Sequence, residues 1–478
     1  MPTLHRTITV DRSLEDCFRY LQDFSTIEQW DPGVYRSEKV QDGPPRIGTT
    51  FDLTLDSFGG RKVPMTYEIV EMEPPHRLRI VGDGGHFSAD DVITLEALPD
   101  GRTSIDYRAD LQFEGPLATV FKIFGGALEK VGEKAVTGMK NALTIPTRPP
   151  RRTIKQRIAD RAVLPSMINF TERGYLKMDR KAHSEFMDHK TVVITGFTAG
   201  LGLAAACEIS RLGADLILVG RTPSKIAAAI DHITAFSGRD ADHIRTVEAD
   251  LAHLDQMHRA ADEIAALTDD IDVLINNAGA LFNERQETPD GHEKTLAINL
   301  LCPYVLTSRL IDHLDAADQG RVINVTSGGM YAKPLRLDDM QFRSRDYRGT
   351  AAYAHAKRAL VDITDHFANA YRQTHITFNS MHPGWADTPG VEKSLPAFHQ
   401  RLDERLRDAR MGADTVVWMA AASALSTTTG ELFLDRKPRP KALLPNTLST
   451  DGQRRKLAQW LQANTARPDT SSSPRPSQ

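Results

Sequence analysis

The chain has 478 residues, a formal net charge of −4, 40% apolar and 26% charged residues. That length exceeds one ordinary domain, the apolar share can fill real cores, and the near-neutral balance gives nucleic acid no electrostatic footing. Three scattered cysteines, Cys17, Cys207 and Cys302, exclude a disulfide framework or Cys-x-x-Cys metal site and fit a reducing, cytoplasmic setting. The first residues lack an apolar signal core, and no apolar run nears the roughly 18 residues of a bilayer span.

Thr7–Val10 alternates as a strand, and Ser13 is placed to cap a helix over Leu14–Leu21. Period-two runs follow at Tyr35–Val40, Thr49–Leu55, Val63–Met72, Arg77–Val81, Phe87–Leu95 and Thr103–Phe113. Turn residues punctuate them at Gly43-Pro44-Pro45, Gly59-Gly60, Glu73-Pro74-Pro75, Asp83-Gly84-Gly85 and Asp100-Gly101. Glu114-Gly115-Pro116 then opens a long helix to about Leu143, with Leu117, Val120, Phe121, Phe124, Leu128 and Val131 on one face. An antiparallel sheet wrapped on one long C-terminal helix follows, an α+β domain over 1–145. This order, with Asp23-Phe-Ser-Thr-Ile-Glu-Gln-Trp-Asp-Pro32, resembles the polyketide cyclase/START-like helix-grip (SRPBCC) superfamily. The resemblance implies an apolar cavity and a lipophilic ligand; a packed structural domain is the other reading. No acid pair or histidine cluster has catalytic spacing, and His76 and His86 read as solvated turn residues.

Residues 146–189 form a basic connector. Prolines 146, 149 and 150 stop the preceding helix, and Arg148, Arg151, Arg152, Lys155, Arg157 and Arg161 cluster before Val163, Leu164, Met167, Ile168 and Phe170. Peripheral contact with an anionic membrane is one reading; packing of the apolar end on the next domain is favoured.

From Lys190 the pattern changes. Val192-Val193-Ile194 suits a strand buried on both faces, and glycines at 196, 200 and 202 lead into Leu201-Gly202-Leu203-Ala204-Ala205-Ala206, a helix start. Strand, glycine turn and helix N-terminus together make a seat for phosphate. Further strands read at Asp215–Gly220, Ile244–Glu248, Ile271–Asn276, Arg321–Thr326, Ile376–Met381 and Glu431–Leu434, with helices between. The expectation is an α/β doubly wound parallel sheet of Rossmann type over 190–440, its chemistry at the carboxyl ends of the strands. A C-terminal extension, 441–478, ends in a Ser/Pro-rich tail, 465–478, that reads as disordered.

Individual residues at those strand ends have their own logic. A carboxylate ending the second strand would bind an adenosine 2′-hydroxyl and repel a 2′-phosphate. Gly220 removes that acid and Arg221 supplies a planar cation, which favours NADP(H) and leaves NAD(H) open. Asp250 can accept from an adenine amine, and Asn276-Asn277-Ala278-Gly279 is a turn that lets a cofactor lie on backbone. Tyr353 and Lys357, at i and i+4, share a helix face. A free tyrosine titrates near pH 10, about three units high for neutral acid–base work, and an ammonium neighbour would lower it. Ser327 can donate to a substrate oxygen, and Asn299, a poor helix former, can hold a water leading to Lys357. His355 points away from the Tyr353 face and reads as structural.

Together, Thr195-Gly-Phe-Thr-Ala-Gly-Leu-Gly202, Asp250-Leu251, Asn276-Asn-Ala-Gly279, Asn299, Ser327, Tyr353-x-x-x-Lys357, Pro383-Gly384 and Thr388 resemble the short-chain dehydrogenase/reductase superfamily in content and order. Ser327-Gly-Gly-Met330, Met381-His-Pro-Gly-Trp-Ala-Asp-Thr-Pro-Gly-Val391 and Gly412-Ala-Asp-Thr415 look like its orphan member-twelve subgroup. There too a segment like Asn169–Tyr175 precedes the nucleotide fold. The resemblance implies hydride transfer between a nicotinamide and a carbonyl/alcohol pair, with Asn299, Ser327, Tyr353 and Lys357 as catalytic tetrad and no metal. It implies cofactor contacts at Thr195, Gly196, Gly200, Leu201, Gly202, Arg221, Asp250, Leu251, Asn277, Ala278, Gly279, Tyr353, Lys357, Pro383, Gly384 and Thr388. It also implies a small-molecule carbonyl or alcohol substrate and a homo-oligomer. Pro334–Thr350 and Trp385–Arg410 are expected to shape the substrate site. The competing reading is a lipid-binding or scaffold protein that senses cofactor without turnover.

Overall fold

A computed structural model describes residues 3–56, 62–85, 87–113, 125–144, 169–178, 185–387 and 405–467, with 154, 155, 158 and 400 between them. The chain divides into two compact units. One is Met1–Thr147 with Asp179–Phe186 and Ala235–Arg239; the other is Arg148–Met178, Met187–Thr234 and Asp240–Gln478.

In the first unit, strands β1 (Thr3–Val10), β2 (Val34–Lys39), β3 (Thr50–Asp56), β4 (Lys62–Glu73), β5 (Arg77–Asp83), β6 (Phe87–Ala97) and β7 (Thr103–Phe113) form one sheet. Its order is β1-β7-β6-β5-β4-β3-β2, antiparallel throughout. Alternation puts Phe51 and Leu53, Met65, Tyr67 and Ile69, Leu78 and Ile80, Ile93 and Leu95, and Ile105 and Tyr107 on the buried face. Three helices cover that face: α1 (Leu14–Gln22), α2 (Ile27–Trp30) and α3 (Gly125–Leu143). The Ser13 hydroxyl accepts from the Asp16 N–H as the expected cap of α1. Helix α3 crosses Trp30 so closely that a Cβ at Gly138 would meet the Trp30 carbonyl oxygen at 1.9 Å. The α2 turn has no counterpart in the sequence reading, because four residues are too few to show a helical period. The start of the long helix and its expected face, Leu117 to Val131, lie outside the described side chains, as does His86; His76 is exposed in its turn.

The second unit runs α4 (Glu172–Leu176), β8 (Thr191–Thr195), α5 (Gly200–Arg211), β9 (Asp215–Gly220), α6 (Pro223–Ser237), β10 (Ile244–Glu248), α7 (Leu254–Leu267) and β11 (Val273–Asn276). It continues with α8 (Cys302–Arg309), α9 (Ile311–Ala316), β12 (Arg321–Val325), α10 (Gly349–Ala370), β13 (Thr377–Met381), α11 (Ala409–Ala421), β14 (Leu432–Leu434), β15 (Lys437–Arg439) and α12 (Asp451–Asn464). The sheet order is β10-β9-β8-β11-β12-β13-β14-β15, parallel up to β14 and antiparallel at the last pair. Every residue of β8, β12 and β13 is buried, as expected of strands covered on both faces. Strand order reverses between β8 and β11, which opens a crevice at their carboxyl ends.

Two elements go beyond the sequence expectation. The β14–β15 hairpin turns at Asp435 and Arg436 with φ of 55° and 54°, the two left-handed residues of a type I′ geometry. Neither is glycine, and each is held by a buried ion pair, Asp435 to Arg407 and Arg436 to Asp414. Helix α12 begins with a reciprocal Thr450/Gln453 capping box. Thr465, at its end, is buried with its carbonyl 2.8 Å from His258 Nε2, while 468–478 lie outside the described residues. Most of 146–168 lies outside them too. Among the described residues, no helix is long and apolar enough to cross a membrane.

Candidate active site

The glycine turn fits a close backbone approach. Gly196 has φ of 70°, and a Cβ there would meet Ala278 Cα at 2.7 Å. A Cβ at Gly202 would sit 2.2 Å from the Gly196 carbonyl oxygen and 2.4 Å from Asn277 Nδ2. Thr195 Oγ1 accepts from the N–H groups of Asn277 and Ala278, and Asn277 Nδ2 donates to the carbonyls of Thr195 and Gly196 at 3.1 and 2.9 Å. Thr195 and Asn277 therefore lace the β8 and β11 ends together. Helix α5 starts at Gly200, and its extended N-cap, Ala199, has no capping side chain, so its first N–H groups stay available to an anion. Leu201 packs across α11, where a Cβ at Gly412 would meet its Cδ2 at 2.3 Å.

At the far end of the crevice, a Cβ at Gly220 would meet Ile226 and Phe197 at 3.0 Å, so packing as well as charge disfavours an acid there. Arg221 is 62% exposed and lies 3.5 Å from Asp250 Oδ2. Asp250 Oδ1 accepts from Ala252 N–H, and Leu251 belongs to the core. Arg221 and Asp250, given separate roles by the sequence, are thus ion-pair partners.

Near β12 and α10, the Ser327 side chain neighbours the Tyr353 hydroxyl. Lys357, 2% exposed, donates from Nζ to the Val325 carbonyl at 2.9 Å, and Nζ is 5.7 Å from the Tyr353 ring centre. Asn299 sits in a π-helical turn, Ala297–Leu301, of the kind that recurs at functional positions. Its Nδ2 donates to the carbonyls of Ala280 and Thr295 at 2.7 and 2.8 Å, while buried Oδ1 has no partner among the described residues. A Cβ at Gly279 would be 2.9 Å from that oxygen and 3.3 Å from Lys357 Nζ. Asn299 and Lys357 therefore meet beside Gly279, and the Tyr353 ring adjoins Lys357 Nζ.

The electrostatics differ from expectation. Burial pushes the Tyr353 phenol up to about 12, with the Ser327 neighbour opposing. Burial also pushes Lys357 down to about 7, with Cys302 opposing. A lysine stripped of water and held by a carbonyl cannot offer a tyrosine the full ammonium that the i, i+4 spacing suggested. His355 is structural, as read: it accepts from the Arg336 N–H at 2.9 Å, and burial lowers it to about 4.

After β13, Gly384 has φ of 79°, with Arg407 Nε 2.5 Å and the Phe170 carbonyl 2.6 Å from its would-be Cβ. Arg407, 1% exposed, spends all five donors on the carbonyls of Thr171, Asn169 and Pro383 and on both Asp435 oxygens. It ties the Asn169–Tyr175 segment to the Pro383-Gly384 turn, so that part of the connector packs on this unit. Phe170 lies against Gly328, next to Ser327, and edge-on to His382 and Trp385. His382 is wholly buried; its Nδ1 accepts from Gly384 N–H, and Nε2 has no partner among the described residues. The sequence reading missed Arg407 and His382; His382 directly precedes Pro383-Gly384, whereas Arg407 carries no local signal. Thr388, with much of Trp385–Arg410, lies outside the described residues. Among the described residues no His, Cys, Asp and Glu group could hold a metal.

The short chain dehydrogenase family model matches residues 190–397, and the family described as polyketide cyclase/dehydrase and lipid transport matches 1–144. The bovine (Bos taurus) dehydrogenase/reductase SDR family member 12 is 40% identical over 57% of this chain and 85% of its own length. Human (Homo sapiens) retinol dehydrogenase 13 is 30% identical over 53% of this chain and 78% of its own. The crystal structure of an uncharacterized protein from Mycobacterium paratuberculosis, 25% identical, is covered over 96% of its chain and 61% of this one, with a TM-score of 0.48. The chain thus belongs to the short-chain dehydrogenase/reductase family, oxidoreductases of the carbonyl/alcohol pair, and joins to that fold a polyketide-cyclase-like N-terminal domain.

Proposed function

We propose that the protein reduces a lipophilic ketone or aldehyde with NADP(H), using Tyr353 as proton donor. The observation that carries this is the meeting of Lys357 Nζ and the unpartnered Asn299 Oδ1 beside Gly279, with the Tyr353 ring and its Ser327 neighbour alongside. The close glycine crossing and the uncapped α5 terminus fit a pyrophosphate, and Gly279 leaves the backbone bare beside the tetrad. When bound there, the reduced nicotinamide would supply the hydride.

The chain's own groups handle the oxygen and the proton. Ser327 donates to the carbonyl oxygen and fixes its direction. A phenol near 12 stays protonated at neutral pH, the form that reduction consumes. Lys357, poised near 7, can return a proton to Tyr353, and Asn299 Oδ1 is the free acceptor for a water that refills Lys357. Arg221, exposed at the acid-free end of β9, favours a 2′-phosphate, which would have to compete with Asp250 for the guanidinium. The lipophilic substrate class draws support from the retinol dehydrogenase relative and the lipid-transport match of the N-terminal domain.

NADPH oxidation should be followed with retinal, long-chain aldehydes and aryl ketones. Tyr353→Phe is expected to lower turnover by about 10²–10⁴-fold while NADPH still binds; full turnover would overturn the assignment. Arg221→Asp should shift preference toward NADH, and an unchanged preference would remove Arg221 from the cofactor site.

A further inference from the structure

The segment 334–350, between Ser327 and Tyr353, reads from sequence as a substrate wall, but its hydrogen bonds run to the turn that carries Asn299. Gln341 Oε1 accepts from the Glu293 N–H at 2.8 Å, and its Nε2 lies 3.0 Å from His292 Nδ1. The Tyr347 hydroxyl lies 3.1 Å from Glu293 Oε1, 3.1 Å from the Phe282 carbonyl oxygen and 3.0 Å from Thr295 Oγ1. Glu293 is wholly buried, and its carboxylate accepts from the N–H groups of Thr295 and Leu296 at 2.9 and 2.7 Å. It thereby caps the turn Lys294–Leu296, which runs directly into the π turn Ala297–Leu301. Asn299 Nδ2 closes the chain of contacts on the Thr295 carbonyl.

The other face of the segment grips the tyrosine helix. The Arg336 N–H donates to His355 Nε2, two residues beyond Tyr353. Between the two grips, Phe342 has φ of 49°, a backbone conformation that a bulky residue adopts only where its surroundings force it. Its ring is 5% exposed and wedged edge-on between Tyr347, 5.8 Å away, and His355, 6.0 Å away, with the Arg345 guanidinium over it. At the end of the segment, a Cβ at Gly349 would meet the Phe282 carbonyl oxygen at 2.1 Å, so the backbones are in direct contact there.

We propose that 334–350 is a strap that positions the proton-transfer groups: Gln341 and Tyr347 hold Glu293, Glu293 holds the turn bearing Asn299, and Phe342 with Arg336 registers that turn against the Tyr353 helix. Tyr347 and Glu293 are positioning residues, acting through Asn299; this rests on the proton-transfer reading given under Proposed function. In the full chain, Tyr347→Phe keeps the ring against Phe342 and removes only the hydroxyl. With NADPH and phenanthrenequinone as probe, kcat should fall about ten-fold with both KM values unchanged and a larger solvent deuterium isotope effect. Without any substrate, backbone amides 295–301 should exchange hydrogen faster than in wild type, while those of β8 and β11 do not change. In an Asn299→Ala background the Tyr347→Phe change should cost nothing further. Glu293→Gln should reproduce the same pattern if Tyr347→Phe folds poorly. Unchanged exchange at 295–301 overturns the strap, and so does an additive double variant. Asn299→Ala at full turnover would sink the tetrad reading instead.

Discussion

The two units bury titratable groups in contrasting ways. In the N-terminal sheet, Asp91 is 2% exposed and accepts from the Tyr107 hydroxyl at 3.2 Å, with Tyr67 beside it. Burial pushes its carboxyl up to about 7, and both phenols are pushed well above their ordinary range. In the oxidoreductase unit, the one hydrogen-bond partner of Lys357 Nζ among the described residues is a carbonyl, and Asn299 Oδ1 and His382 Nε2 have none there. The first network is closed; the second has hydrogen-bonding valence to spare. Unused valence in a buried site costs stability and is what a substrate oxygen or relay water can fill. Trp30 Nε1, Arg12 Nε and Arg12 Nη1 are exceptions in the first interior, buried donors with no hydrogen-bond partner among the described residues.

The contrast can be broken at several points, from the largest effect downward. Lys357→Met should cost turnover about 10²–10⁴-fold yet leave folding intact, since it replaces a buried cation that has no carboxylate partner; a variant that unfolds instead would make Lys357 structural. Arg407→Met attacks a closed network within the same unit. It strands Asp435 and three carbonyls, so urea unfolding should show a loss of about 3–5 kcal/mol, and a loss below about 1 kcal/mol would mean that solvent reaches the pair.

Stability against pH should separate the two interiors by sign. Asp91 has a folded-state value near 7, above an unfolded value of about 4. Its contribution is therefore full below pH 4 and is lost as pH rises to 7. Lys357 has a folded value near 7, below an unfolded value of about 10.4, so its penalty is full below pH 7 and fades as pH rises toward 10. Asp91→Asn should flatten the wild-type decline between pH 4 and 7 by a few kcal/mol at most, read as the wild-type-minus-variant difference in thermal unfolding. Equal slopes would show Asp91 ionised as readily folded as unfolded. The smallest expected effect is Trp30→Phe, which removes the orphan N–H along with some packing; a net loss under about 1.5 kcal/mol is expected, and a larger one would mean that the indole N–H has a partner.

How much was legible depended on the range of the forces. Strands β1 to β7 were readable because alternation is local, Gly196 and Gly202 because a close backbone crossing at a strand end demands glycine, and the shared helix face of Tyr353 and Lys357 because i, i+4 spacing sets it. The Thr450-x-x-Gln453 cap of α12 was there to be read. The β14–β15 turn was not, since Asp435-Arg436 lacks the glycine or asparagine that marks such turns and depends on Arg407 and Asp414. Nor could spacing reveal that burial raises the Tyr353 phenol above its ordinary range. The contacts of 334–350 with Glu293 and His355 could not be read from the sequence, because they are tertiary.

The Arg407 cluster also bears on the order in which the molecule can assemble. Its guanidinium joins Asn169, 238 residues earlier, to Asp435, 28 residues later. During synthesis, the Asn169–Tyr175 segment therefore emerges long before its anchor exists. Phe170 packs with Leu432 and Leu434 of β14, so its full set of contacts exists only once β14 has been made. The last corner of the catalytic unit to form is thus made partly from residues that precede its first strand, and maturation of that corner waits on the chain's final fifth.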